Sequence, residues 1–369
     1  MRFSFAARPA LIALLVAGCE VVEREPAVKR DTATVPVAGA ALDTLPRAGT
    51  ATGVPAVPAD TLGARSIMPD SGAVELYPQQ PRRGGVLYAF AGGLVMQLPR
   101  CSWNGAPIPC YSVNGGVLAT IPLSADEPAG RFVLTIDRPA GRIVRTVTIA
   151  DRELGREVVL LSPELFALVK RGGDVARDAR AMRQVMSVQT PERAWTGKWR
   201  DPIAGSKGEG YGTERFYFPA SDSSRVLNVD PGARARGAFA GDTASAAAKV
   251  PSWRHSGVDI RAAKKTRILA PAGAVVADVG EYTLTGRTVI LDHGQGVFTA
   301  YFHLDTTSVR RGDEIRAGKI IGRVGSTGLS TGPHLHYGVY VHGKDVDPAA
   351  WRDMPAFAQG LKSKAAAGN

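Results

Sequence analysis

The sequence predicts a mainly β chain with an N-terminal β-sandwich-like domain, a short helical linker and a C-terminal β-rich domain. Three observations predict this. Short apolar runs separated by Gly, Pro and Asp clusters fill residues 86–149. Two helix starts follow, near Ser162 and Asp174. From about residue 195 the strand-like runs and Gly-rich turns return.

The runs at 86–90, 116–121, 131–136 and 143–149 are the first domain's expected strands. Between Arg131 and Asp137 polar and apolar residues alternate, as a half-buried strand requires. About seventy residues of such strands suit a small sandwich. Cys101 and Cys110 bracket a short turn-rich loop inside it. Such a pair reads as a disulfide in an exported protein, whereas a zinc pair would want tighter spacing and further ligands nearby. Ser162, Pro163 and Glu164 supply a capping hydroxyl, a proline for the first helical position and an acid in the first turn. From Asp174, Val175, Ala179, Met182 and Met186 share one helical face, a packing stripe. Residues 219–250 form a long polar loop, of a length that is usually functional or disordered.

The N-terminus addresses compartment. Arg2 and Arg8 precede a short apolar run at 11–16, then Ala17, Gly18 and Cys19. Small residues before a cysteine resemble the lipobox of bacterial lipoproteins, which implies cleavage before Cys19 and lipidation of its thiol. The other reading is an ordinary signal peptide that contains a cysteine. Glu20 after the cysteine implies, by the usual sorting rule, the outer membrane. The expected location is therefore the cell envelope, lipid-anchored, on the periplasmic face of the outer membrane. Residues 19–80, rich in Ala, Pro, Thr and Val, read as a disordered tether. The formal charge is +11, and losing Arg2 and Arg8 leaves 11 − 2 = +9 on the mature chain. This favours anionic partners, but no basic run with interleaved aromatics points to nucleic acid. The expected organisation is a signal peptide at 1–18, the tether at 19–80, the β-sandwich-like domain at 81–152, the linker at 153–194, the chemical domain at 195–352 and a tail at 353–369.

Three segments carry chemistry: His255 to Asp259, Thr299 to Leu304, and Thr327 to His336. A catalytic zinc takes three protein donors, with neutral imidazole and carboxylate typical, and keeps a position for water. His255 and Asp259 could form a local pair of donors and His336 the distant third. His334 and His336 fall on one face of a strand, with Leu335 toward the core. The same alternation puts Thr299, Tyr301 and His303 on one face and Phe298, Ala300 and Phe302 on the other. One histidine on a strand is usually an ordinary polar residue. Three such segments in a chain with six histidines point to a site.

These motifs, His255-x-x-x-Asp259, Tyr301-x-His303-Leu304 and Gly332-Pro333-His334-Leu335-His336, resemble the lysostaphin/LytM-type zinc metallopeptidases (family 23), which cut peptide cross-links in peptidoglycan. The likeness continues through 268–276, 289–294 and 309–322 and covers about residues 200–350. It implies an antiparallel β domain with a groove over Zn2+. It implies that His255, Asp259 and His336 hold the metal, and that His303 and His334 are catalytic, moving protons. Two departures stand out. The acid common after the family's last histidine is replaced, since Tyr337-Gly338 follows here. A tyrosine supporting the oxyanion has no clear position, Tyr217 being a weak candidate. His293 and His342 match no catalytic position and are expected at turns or on the surface.

The resemblance implies a zinc metalloendopeptidase acting on peptidoglycan, held to the membrane through lipid and open to protein regulators. One rival is a catalytically inactive relative that binds and activates another wall hydrolase; such relatives lack some ligands, whereas this chain keeps all five positions. A carrier module, suggested by 311–321, lacks a hairpin-tip lysine and leaves the histidines unexplained. A proteinase for folded protein substrates stays open.

Overall fold

The computed structural model describes residues 74–92, 99–113, 116–138, 141–204, 208–222, 251–355 and 358. The signal segment, Cys19, most of the expected tether and nearly all of the 219–250 loop lie outside the described residues. No helix among the described residues is long and apolar enough to cross a membrane.

Strands β1 (Val74–Tyr77), β2 (Val86–Gly92), β3 (Arg100–Trp103), β4 (Ala106–Ile108), β5 (Cys110–Val113), β6 (Gly116–Pro122), β7 (Gly130–Arg138) and β8 (Gly141–Ile149) build the sandwich. One sheet has the order β1-β2-β6-β5 and the other β4-β3-β7-β8. In β7, Phe132, Leu134 and Ile136 are buried while Arg131 and Val133 are exposed, the predicted alternation. Cys101 and Cys110 are bonded to each other, with Cα atoms 6.1 Å apart, and so tie β3 of one sheet to β5 of the other.

The sandwich is buried on two sides. Leu87, Ala89, Val117, Ala119 and Ile121 face its own core. Val86, Tyr88 and Leu118, pointing the other way, join the core of the C-terminal domain beside Tyr337 and Trp351. Both faces of β2 and β6 are covered, which is why these strands read as continuous apolar runs. Arg152 adds an ion pair to Asp347 at 2.8 Å and Lys344 one to Glu127 at 3.0 Å.

Strand β1 falls inside the stretch expected as tether. Its Val74 and Leu76 are half-buried against the sandwich core, and it pairs antiparallel with β2. Four residues beside an Ala- and Pro-rich stretch give too short a pattern to read. The expected helical linker likewise contains a strand, β9 (Arg156–Leu161), before helices α1 (Pro163–Val169) and α2 (Gly172–Met186). Ser162 caps α1, accepting from the Leu165 amide at 3.4 Å. Helix α2 begins two residues before Asp174, and Val175, Ala179, Met182 and Met186 are its buried stripe. Strand β9 pairs in parallel with β10 (Glu214–Pro219), and β11 (Ser252–Arg254) pairs on the far side of β10. The partner of β9 lies more than fifty residues downstream, beyond the reach of any local pattern.

The remaining elements are β12 (Val258–Arg261), β13 (Arg267–Leu269), β14 (Ala274–Tyr282), β15 (Gly286–Asp292), β16 (Val297–Phe302), β17 (Leu304–Thr307), β18 (Glu314–Ile315), β19 (Ile320–Val324), β20 (His334–Val341), β21 (Lys344–Val346) and α3 (Pro348–Arg352). The large antiparallel sheet runs β12-β20-β16-β15-β14-β18, with β21 on β20, and a small sheet runs β13-β19-β17. One face of the large sheet, with Leu335, Tyr337, Val339 and Tyr301, packs on Trp195, Trp199 and Trp351. The other, with Phe298, Ala300, Phe302 and Tyr340, lies under Met182 and Met186 of α2. Asp178 pins that helix by accepting from the Thr283 amide at 2.7 Å. Met354 and Ala358 are buried, so the start of the stretch expected as a tail belongs to the core.

Candidate metal centre

The centre forms where β11, β12 and β20 meet. In β20, pleating sends Leu335 into the core and turns His334 and His336 to the opposite face. Register places Asp259 of β12 directly opposite His336. His255, in the turn between β11 and β12, is fixed by main-chain bonds to the 210–213 turn: its amide donates to Thr213 O at 2.9 Å, and its carbonyl accepts from Gly212 N at 2.8 Å. Between these two donors Gly257 is required. A Cβ there would stand 2.5 Å from Tyr337 O and 2.7 Å from His336 Nε2.

Three donor atoms converge. His255 Nε2 is 2.8 Å from His336 Nδ1 and 3.0 Å from Asp259 Oδ1, and His336 Nδ1 is 3.4 Å from the same oxygen. Among the described residues this is the group of His, Cys, Asp and Glu side chains able to hold a metal ion. Outer partners orient it. His255 Nδ1 faces the Gly210 carbonyl at 2.9 Å; a carbonyl only accepts, so Nδ1 carries the proton and Nε2 offers a lone pair to the cluster. Two imidazole nitrogens this close need a proton or a cation between them. Burial opposes ionisation of Asp259, but His255 and His336 outweigh it and hold the carboxyl well below the usual range. Its second oxygen, Oδ2, accepts from Arg215 Nη2 at 2.8 Å.

His303 and His334 stand beside the donors, ring centroids 4.8 Å apart. His334 Nδ1 donates to Gly332 O at 2.8 Å, and its Nε2 is 3.6 Å from Asp259 Oδ1. His303 Nδ1 donates to Thr327 O at 2.8 Å. In both rings Nε2 is therefore the basic nitrogen. Burial, together with His334 and His336, pushes the His303 imidazole down to about 3, so it stands neutral.

Strand alternation misplaces His303. The face of β16 on the metal side carries Phe302, which pairs with His336 and stacks on its ring at 4.8 Å. Thr299 and Tyr301 look the opposite way, into a buried chain of hydrogen bonds with His293. His303 reaches the site because its backbone is left-handed, with φ of 61°, just past the end of β16. Histidine enters that region more readily than most side chains, and such backbone is typical of functional sites. His293 is buried, not on the surface: it donates through Nδ1 to Gly273 O at 2.8 Å and packs on Trp199. His342 lies in a turn, near Gln189.

A cleft opens on both sides of the donors. On one side Ala179, Met182 and Met186 of α2 face His255, His303 and His336. On the other, Glu157, Glu209 and Arg261 surround Asp259, His303 and His334. Arg215 and Tyr217 of β10 line both. Tyr217, the oxyanion candidate, is buried against Trp253, ring centroids 4.2 Å apart. Sequence reasoning missed Arg215. Its only local trace is a charged residue near the start of β10, and nothing there announces Asp259.

The same stretch of chain is similar to known proteins. Residues 253–348 match peptidase family M23. A stretch of 100 residues is 42% identical to the DD-carboxypeptidase/endopeptidase Mpg of Neisseria meningitidis, covering 27% of this chain and 23% of that protein. A stretch of 93 residues is 34% identical to the peptidoglycan DD-endopeptidase ShyA of Vibrio cholerae, covering 25% of this chain and 22% of that protein. The chain thus spans under a quarter of the length of these curated relatives. A solved peptidase M23 structure from Pseudomonas aeruginosa shares the fold, with a TM-score of 0.50 over 74% of this chain and 95% of that one at 21% identity. The stretch that carries His255, Asp259, His303, His334 and His336 is a peptidase family M23 domain.

Proposed function

We propose that the chain is a zinc-dependent endopeptidase that cleaves the peptide cross-links of bacterial peptidoglycan. The observation that carries this is the convergence of His255 Nε2, Asp259 Oδ1 and His336 Nδ1 beside two imidazoles whose proton-bearing nitrogens are turned away. The donor set fits zinc. Two imidazoles and a carboxylate without thiolate are a catalytic zinc set, and tetrahedral bonds of ~2.0–2.1 Å put neighbouring donors about 3.3 Å apart. The separations here are 2.8, 3.0 and 3.4 Å. Names of the relatives support the substrate class.

His255, Asp259 and His336 would hold the ion, which when bound polarises a carbonyl and acidifies water. The chain's own residues do the rest. Thr327 O and Gly332 O fix the tautomers of His303 and His334, so each offers Nε2 as a base. The imidazole that takes a proton at Nε2 from the attacking water returns it from the same nitrogen to the leaving amine, while the other accepts a hydrogen bond at its own Nε2. Phe302 and the methionines of α2 border the donors on one side and keep bulk water from them.

Export and anchoring belong to the same proposal. Cys19 carries lipid and the enzyme works from the periplasmic face of the outer membrane. Support comes from the small residues before Cys19 and from Glu20 after it. Changing Cys19→Ala is expected to abolish lipid attachment and shift the protein out of the membrane fraction with cleavage unchanged; unaltered fractionation sinks the anchor.

The test of the activity is zinc content and muropeptide digestion measured together on the full chain. One zinc per chain with cross-link cleavage is expected. Zinc held without cleavage of any plausible host's peptidoglycan favours a binding protein that activates another hydrolase.

A further inference from the structure

The metal donors sit within residues 253–348, but one side chain gripping them does not. Arg215, on β10, donates from Nη2 to Asp259 Oδ2 at 2.8 Å and from Nε to Glu157 Oε2 at 2.9 Å. Glu157 is its direct partner across the parallel β9–β10 pair. Arg215 and Asp259 are only 18% and 22% exposed, so this pair is far less screened than an exposed one.

Geometry divides the work of the Asp259 carboxylate. Oδ1 meets His255 Nε2 at 3.0 Å and His336 Nδ1 at 3.4 Å. Oδ2 is turned to the guanidinium. We infer that Arg215 is a positioning residue: it holds Asp259 as a one-oxygen donor and thereby sets metal affinity and coordination number. The inference rests on the metal reading above and assigns to β9–β10, outside the matched family domain, a part in building the centre. Without Arg215, Oδ2 loses a charge-assisted partner and the carboxylate is free to rotate or to offer both oxygens. Lysine cannot replace it, because one ammonium cannot span Glu157 and Asp259 as the planar fork does.

The test uses the full chain with Arg215→Gln, Arg215→Lys and Glu157→Gln, reading zinc affinity against a chromophoric chelator and the visible spectrum of the cobalt(II)-loaded protein. Arg215→Gln is expected to weaken zinc binding by about 10–100-fold, the usual effect of losing an outer partner of a ligand. Its cobalt band should also lose intensity as coordination rises above four. Glu157→Gln leaves the Asp259 bond in place and should cost under about threefold. If Arg215→Gln does not fold, Arg215→Lys decides the matter, with at least about a fivefold loss expected. Zinc affinity within about threefold of wild type and an unchanged cobalt spectrum in the Arg215 variants overturn the inference. So does a loss in Glu157→Gln equal to that in Arg215→Gln, which would make the β9–β10 pair as a whole the support. Wild-type protein that binds neither metal removes the metal reading and the inference with it; zinc-binding Arg215 variants that match wild type remove the inference alone.

Discussion

The metal centre and the wall beside it are written into the chain in different ways. The centre draws on five side chains within 253–348, gathered by one strand's alternation, one register and one left-handed residue. The wall draws on α2, β9 and β10, and its side chains, Met182, Met186 and Arg215, come from far apart in sequence. Polar residues at fixed short spacing announce chemistry, because few other demands put histidines there. The wall is made by long-range pairing, and its residues look like ordinary core and surface. Substitutions can test whether the two regions are as separate in function as in origin.

The largest effect is expected from His336→Ala in the centre. Removing one of three donors should take bound zinc from one per chain to almost none and cross-link cleavage to background. Metal analysis checks this, and undiminished zinc removes the assignment. Next come His303→Ala and His334→Ala. Both should keep zinc and lose roughly 10²–10⁴-fold in rate, the usual contribution of a positioned proton carrier. Zinc lost from His334→Ala but kept by His336→Ala would exchange their roles.

A substitution in the apolar part of the wall, away from Arg215, should behave otherwise. Met186 is 2% exposed and packs between α2 and the site face of the sheet. Met186→Ala should lower unfolding free energy by about 2–5 kcal/mol with zinc stoichiometry unchanged. Denaturant titration with parallel metal analysis reads both. If zinc is lost while stability holds, the division between centre and wall fails.

Much of the fold could be read in advance where one face of a strand is wet, as in β7, whose alternation shows in the sequence. Strands covered on both faces, β2 and β6, could be recognised as strands, but their second contact could not, because an apolar run does not say what lies on either side. Strand β9 reads as linker in the sequence because its parallel partner is distant. At the site, spacing and pleat point to His255, Asp259 and His336 as donors and put His334 on the face of His336. The motif names His303, but strand alternation puts it on the wrong face, since period-2 reasoning assumes that the strand continues and a φ of 61° ends it. Arg215 shows only as a charge near the start of β10, since its meaning depends on a contact spanning 44 positions.

The smallest effect concerns a bond in neither region. Cys101 and Cys110 are nine positions apart and join the two sheets of the sandwich. In the chain-entropy picture, a loop of about ten residues stabilises by roughly 2–3 kcal/mol, so replacing both cysteines with serine should cost about that much. Sequence alone suggests that the loss stays within the N-terminal domain. The structure argues otherwise: Val86, Tyr88 and Leu118 on the sandwich's outer side share a core with Tyr337, which adjoins His336 in β20, and with Trp351. If the sandwich came apart alone, that core would be exposed, so the two parts should unfold together. Denaturant unfolding of the double variant should show one transition at a lower midpoint with its slope kept. Zinc content and cleavage should be unchanged before the transition begins. Two separate transitions, only the first of them shifted, would show the sandwich to be an independent unit and the shared core to contribute little. A free-thiol titration of the wild-type chain finding two reactive thiols would remove the bond itself.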